Sequence, residues 1–169
     1  MVELPGPPQG KGRPRFSSAH GFVRAYTPAR TRDYETALRN QALVVMGPRR
    51  PLSGPLSVSI EAWMPIPASW SRRQFDRAVA GATLPASKPD SDNILKIIGD
   101  GCNGIVWHDD RQLTTVVIRK RYGPKPGLVI TVVPENVDGR LFDQPAANDL
   151  EAEPRLARNR QYGDRPGCA

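Results

Sequence analysis

Cysteine is scarce in this chain. There are two, Cys102 and Cys168, far apart and with no CxxC or Cys/His cluster beside either. A disulfide framework is therefore not expected. Histidine is equally rare, with only His20 and His108, so zinc lacks its usual ligands. No apolar run approaches the length needed to span a bilayer, and the opening stretch MVELPGPPQGKGRPRF lacks the apolar core of a signal peptide. A soluble, cytoplasmic protein with no membrane association is the expectation. There is no internal repeat, and 169 residues suit one domain with a real core.

Acidic residues are thin at the front. Residues 1–50 hold three against nine Lys or Arg, a balance of +6. Residues 51–133 carry ten basic against seven acidic (+3), and residues 134–169 five against seven (−2), which makes the formal net charge +7. A basic front half suits a polyanionic partner, because each phosphate neutralised by Lys or Arg releases a condensed counterion. A solvated basic surface would look the same by charge alone.

Periodicity supplies the elements. Val2–Leu4 can open a strand, followed by the Gly/Pro/basic loop PGPPQGKGRPRF, and the short aromatic run Phe22–Tyr26 reads as another strand. A helix is expected from Thr31 to Met46, with Thr31 as N-cap and Asp33 and Glu35 in its first turn. Over 56–64, Leu56, Val58, Ile60, Ala62 and Met64 alternate with Ser57, Ser59, Glu61 and Trp63, which predicts a half-buried strand. A polar helix is expected over 69–80 and an acidic one over about 91–99. After a turn at Asn103-Gly104 come strands near 113–122 and 128–133, joined by the hairpin-type loop GPKPG. Beyond Pro134 the pattern stops. The reading is an α+β domain over 1–134, a small mixed, mainly antiparallel sheet with two or three helices, and a polar, mobile tail over 135–169.

What the chain does concentrate is acid in one place. KPDSDNILKIIGDG, from Lys88 to Gly101, and NGIVWHDDRQL, from Asn103 to Leu113, bring five aspartates together: Asp90, Asp92, Asp100, Asp109 and Asp110. At about 100° per residue, Ile94, Leu95, Ile97 and Ile98 share one side of the helix. Asp92, Lys96 and Asp100, spaced i, i+4, i+8, form a ridge on the other, and Asp90 sits just before it. Helix capping and exposed i,i+4 pairs would explain each residue singly. They do not explain Asp109-Asp110. Clustered carboxylates raise one another's pKa, a divalent cation resolves the conflict, and hard oxygen donors suit Mg²⁺ or Mn²⁺. An EF-hand fails, since its fifth and sixth positions would be Ile94 and Leu95. A nuclease motif with an acid two residues before a lysine fails too, because Asp92 and Lys96 are four apart. His108 beside Asp109 is a weaker candidate for a general base.

KPDSDNILKIIGDGCNGIVWHDDRQL resembles the signature of the RusA family of Holliday junction resolvases: a K-P-D-x-D-N-L-x-K-x-x-x-D segment, an N-G turn, and D-D-x-Q before a hydrophobic residue. KGRPRF, AYTP and TRDYE resemble the phage-type members, and the likeness runs in order over about 1–133. Ile94 replaces the usual Leu, and Gly101-Cys102 a common Ala-Leu, both on the packing side. The resemblance implies a homodimeric, Mg²⁺-dependent endodeoxyribonuclease, with Mn²⁺ as a substitute, that resolves four-way DNA junctions. It implies Asp90, Asp92 and Asp110 as catalytic metal ligands and Lys96 as a catalytic lysine, with Asp100 and Asp109 as further candidates for the metal. Lys11, Arg13 and Arg15 of the basic loop are the candidates for DNA phosphates. Two alternatives remain open at this level: a nuclease preferring forks or flaps, and a non-catalytic, basic DNA-binding accessory protein.

Overall fold

The computed structural model describes residues 1–19 and 22–135. Its centre is strand β4, Leu56–Pro65. The alternating apolar side chains Leu56, Val58, Ile60, Ala62 and Met64 are all buried, as their period demands. To serve as a central strand, β4 must be paired on both edges. Strand β5 (Leu113–Gly123) runs parallel to it on one side, and β6 (Gly127–Pro134) runs antiparallel on the other. Strand β1 (Val2–Pro5) adds antiparallel to β6, giving the order β1-β6-β4-β5. The architecture is thus α+β, with a mixed and mainly antiparallel sheet.

This order corrects the hairpin expected at GPKPG. Strands β5 and β6 are not neighbours; β4 lies between them. The connection has only to span two strand spacings, roughly 10 Å, which three linking residues reach easily. Gly and Pro signal a reversal there, but not who pairs with whom. Gly123 permits the crossing: a Cβ on it would stand 3.0 Å from the Trp63 ring.

Helix α1 spans Ala29–Met46, two residues earlier than its sequence suggested, with Pro28 at the N-cap. Thr31 is no cap. It is a buried residue inside the first turn, and Asp33 and Glu35 fall beyond that turn. Thr31 lies under the basic loop, its Oγ1 2.6 Å from where a Cβ on Gly12 would be. Helix α2, Arg72–Val79, is shorter than expected because Ser71 starts it with a capping box to Gln74. Helix α3, Ser91–Cys102, runs three residues past Gly99. Its Ile94, Ile97, Ile98 and Cys102 are wholly buried. Burial pushes the Cys102 thiol up to about 12, so it is an inert part of the core.

Glycine, usually a stop signal, serves here as a packing residue. A Cβ on Gly101 would fall 2.7 Å from Leu38 Cδ2 of α1, closer than carbon atoms approach. A second, separate ribbon pairs β2 (Arg15–Ala19) with β3 (Phe22–Tyr26). The sequence placed Arg15 and Phe16 in a loop, because a strand exposed on both faces carries no alternation to read. Among the described residues, no helix is long and apolar enough to cross a membrane. Glu135, the first residue of the expected tail, belongs with the sheet: its carboxylate accepts from the Thr114 and Thr115 hydroxyls, and its amide donates to Pro55 O at 2.9 Å. The rest of that tail, 136–169, lies outside the described residues.

Because α1 and α3 meet over a bare glycine, Gly101→Val should lower the unfolding free energy by about 1–3 kcal/mol. In a Leu38→Ala background the same change should cost clearly less, as read by a double-mutant cycle in denaturant. Equal costs in both backgrounds would mean that Leu38 does not set the spacing.

Candidate functional site

Helix α3 carries its acidic face outward because its other face is buried against the core. Asp90 is the N-cap, with extended backbone (φ −72°, ψ 149°), and its side chain makes no capping hydrogen bond. Its carboxylate is left available. Asp92 sits in the first turn, where the positive end of the helix favours it. Lys96 Nζ donates to Asp92 Oδ2 at 3.1 Å, and this bond holds the Asp92 carboxyl below its ordinary pKa. Both side chains are well exposed, so the pair contributes little to stability.

The third member of the expected ridge has a different partner. Asp100 Oδ2 lies 2.6 Å from Lys11 Nζ, which also donates to Glu35 Oε1 at 2.5 Å. Burial alone would lower the Lys11 pKa, but hydrogen bonds to Asp100 and Glu35 outweigh it and leave the ammonium raised. Lys11 therefore joins the basic loop to α1 and α3 at once. Its amide also donates to Asn93 O at 2.8 Å. Gly10 is needed beside it, since a Cβ there would stand 2.9 Å from both the Asn93 and Pro89 Cβ atoms.

The second acidic segment is folded as a turn onto α3. Trp107 is fully buried and its indole N–H donates to Asn103 Oδ1 at 2.6 Å. Asp109 then caps a short 3-10 helix, Asp110–Gln112, accepting from the Arg111 amide at 3.0 Å. Gln112 closes the turn from the other end. Its Oε1 accepts from the His108 and Asp109 amides (2.8 and 3.1 Å), and its Nε2 donates to Leu52 O and Gly54 O (3.1 and 2.9 Å). The outcome is that Asp110 rests against α3: a Cβ on Gly99 would be 3.6 Å from Asp110 Oδ2. Gly99 follows Asp92 by seven residues, so the two share a face, about 10 Å apart along the axis. His108 is exposed.

Next to Asp90 lies an open cleft of about 730 Å³. Lys11, Arg13, Arg30 and Lys88 line it together with Asp90 and Asn93. The structure thus brings Lys11 and Arg13 to the acidic helix, whereas Arg15 stands on the β2–β3 ribbon, opposite Tyr26. Arg30 and Lys88 are cleft residues that sequence reasoning did not assign to the site, although Arg30 follows AYTP closely and Lys88 opens KPDSDN. Lys120 of β5 could not have been found that way. Its ammonium donates to Ser87 O at 2.6 Å and Pro89 O at 2.9 Å, fixing the segment that delivers Asp90.

Carboxylates at the start of a helix, a lysine on the same face and a cation-lined cleft form a setting for phosphodiester chemistry. Residues 5–133 match the family described as Endodeoxyribonuclease RusA. The chain belongs to the RusA family. It is accordingly an endodeoxyribonuclease, a hydrolase of DNA phosphodiester bonds, in a family that acts on Holliday junction DNA and generally depends on a divalent metal. The chain is also similar to the Bacillus subtilis (strain 168) protein named "Uncharacterized protein YqaN", at 29% identity over 132 residues, covering 75% of this chain and 90% of that one.

The donors of this RusA-family enzyme suit such an ion, being hard carboxylate oxygens at an exposed helix start. Among the described residues, however, no three His, Cys, Asp or Glu side chains are gathered closely enough to hold a metal. Asp110, held against Gly99, lies about 10 Å along α3 from Asp92, whereas Asp90 and Asp92 adjoin at the helix start and are free to turn. Asp90 has no capping bond to break, and Asp92 has only its exposed pair with Lys96.

Gln112 fixes the turn that presents Asp110. Gln112→Ala should speed hydrogen exchange at the His108 and Asp109 amides and lower stability by about 1–3 kcal/mol, since four backbone groups lose their partner. Unchanged exchange at both amides would show that the turn holds itself.

Proposed function

We propose that this RusA-family enzyme resolves four-way DNA junctions by Mg²⁺-dependent hydrolysis, acting as a homodimer that cuts two opposed strands. The observation that carries the reading is the exposed acidic face of α3, with Asp90 at its N-cap, Asp92 in its first turn and Asp110 against Gly99, beside a cleft lined by Lys11, Arg13, Arg30 and Lys88. Asp90, Asp92 and Asp110 would hold the ion, and Mn²⁺ would substitute for it. A divalent ion at such a site activates water, neutralises the attacked phosphate and stabilises the leaving oxygen.

The protein's own residues do the rest. Lys96, once released from Asp92, places a fixed positive charge where negative charge develops on the phosphate. Asp100 and Asp109 serve through Lys11 and the Arg111 amide, as supports of the loop and the turn, and stay outside the ligand set. The cations of the cleft hold the phosphate backbone in register without reading sequence. Arg13 of the loop and Arg15 at the start of β2 are the phosphate contacts. Lys11, already between two carboxylates, holds the loop against the helices. A C2 dimer matches the approximate two-fold symmetry of a four-way junction and puts one active site on each opposed strand.

Asp92→Asn separates binding from chemistry, keeping the shape of the side chain and the buried face of α3. Junction cleavage in Mg²⁺ should fall by about two orders of magnitude or more. Affinity measured by gel shift in EDTA should hold or tighten, since a charge that repels phosphate is gone. Asp90→Asn and Asp110→Asn should split the same way, while Lys96→Ala should lose binding as well. A wild-type cutting rate in Asp92→Asn would sink the assignment, and a panel of junction, fork, flap and duplex substrates fixes the preferred branch. Arg13→Ala and Arg15→Ala should each flatten the salt dependence of binding, by about 0.9 in the slope of log K against log salt for every duplex phosphate no longer neutralised. An unchanged slope would remove that arginine from the DNA interface.

A further inference from the structure

Arg15 apart, the ribbon of β2 and β3 is the part of the fold that this active site leaves without a task. Arg15, Phe16 and Ser17 are exposed, as is every side chain of Phe22–Tyr26. Phe22 is 76% exposed, Phe16 71%, Val23 71% and Tyr26 46%. Two strands alone are marginal in water, and exposed large apolar side chains gathered in one place mark a contact surface. The register sorts them. Arg15 stands opposite Tyr26 and Ser17 opposite Arg24. Opposed residues, and residues two apart, share a face. Arg15, Arg24, Phe22 and Tyr26 therefore lie on one face, and Phe16 and Val23 on the other. Along β3 the first face alternates ring, guanidinium, ring.

Charge selects the occupant. Between Glu3 and Asp33 the chain has no Asp or Glu, while Lys11, Arg13, Arg15, Arg24, Arg30 and Arg32 all fall there. The partner must be anionic and must also offer flat apolar surfaces at short, regular spacing. Single-stranded nucleic acid does both, with one ring and one phosphate per unit, whereas a duplex keeps its rings inside the stack. We infer that this face of the ribbon holds unpaired bases at the branch point of the DNA, with Phe22 and Tyr26 stacking on the bases and Arg15 and Arg24 on the adjoining phosphates. The inference rests on the nuclease reading for DNA as partner and adds a contact to the bases that the carboxylate site does not supply.

The test is equilibrium binding in EDTA of the full chain to a labelled oligo-dT strand, a four-way junction and a duplex of matched length. The variants are Phe22→Ala/Tyr26→Ala and its aromatic counterpart Phe22→Trp/Tyr26→Trp. Both side chains lie outside the core, so thermal unfolding should not change. The alanine pair should lose affinity for oligo-dT by about tenfold or more, with several-fold smaller loss on duplex, and the tryptophan pair should recover it. The junction's advantage over duplex should shrink in step. Wild-type affinity of the alanine pair for oligo-dT and junction would overturn the proposal. So would a parallel loss on all three DNAs with a fall in sedimentation coefficient, which would make the ribbon an interface between copies of the chain. Cleavage by the wild type in Mg²⁺ is a separate arm. Ring-dependent oligo-dT binding without junction cutting would sink the nuclease reading alone, and cutting with ring-independent binding would sink the ribbon alone.

Discussion

The close approach of α1 and α3 is the constraint on which the rest of the molecule depends. Leu38 packs over Gly101, where no side chain could stand, and Ile94, Ile97 and Ile98 of α3 are buried without remainder. A helix held this tightly has no freedom to roll. The direction of Asp92 and Lys96 is then set by the core, since whatever opposes the isoleucines must face solvent. The direction of the acidic face is rigid because the apolar face is.

Electrostatics around that face is arranged by sharing cations. Five aspartates so close in sequence would repel if left to themselves, yet Asp92 is held below its ordinary pKa. Lys96 takes Asp92, and Lys11 takes Asp100 together with Glu35. Asp109 commits its carboxylate to the turn. Asp90 and Asp110 keep theirs open, on either side of the exposed Lys96–Asp92 pair. The fold thus sorts five chemically identical groups by what each already has as a partner.

Much of this was legible in the sequence and some could not be. The alternation over β4 and the two-sided pattern of α3 were readable because each element buries one face, and burial is what writes a period into a sequence. The β2–β3 ribbon buries neither face and left only the aromatic run of β3 to notice. The order of strands was misread at GPKPG, because turn residues encode a reversal while the choice of neighbour is decided by which strand is apolar enough to lie in the middle. Thr31 looked like a cap by type and is a buried contact under Gly12. The aspartates and Lys96 could be named. Lys120 positions them through partners 31 and 33 residues away, and the double pairing of Lys11 through partners 24 and 89 residues away, which leave no local mark. Gln112, visible in D-D-x-Q, gives no sign of its reach to Leu52 and Gly54.

Gln112 carries the longest consequence of such reach. Its amide group faces two ways, toward the turn that holds Asp110 and toward the carbonyls of Leu52 and Gly54, where the chain prepares to enter β4. The position of one carboxylate is thereby tied to a bend 58 residues upstream. The acidic segments, although nearly continuous in the chain, are not a portable cassette. Transplanted as a linear piece onto another scaffold, the stretch from Lys88 to Leu113 would bring Asp90 and Asp92 along on their helix and leave Asp110 without an address.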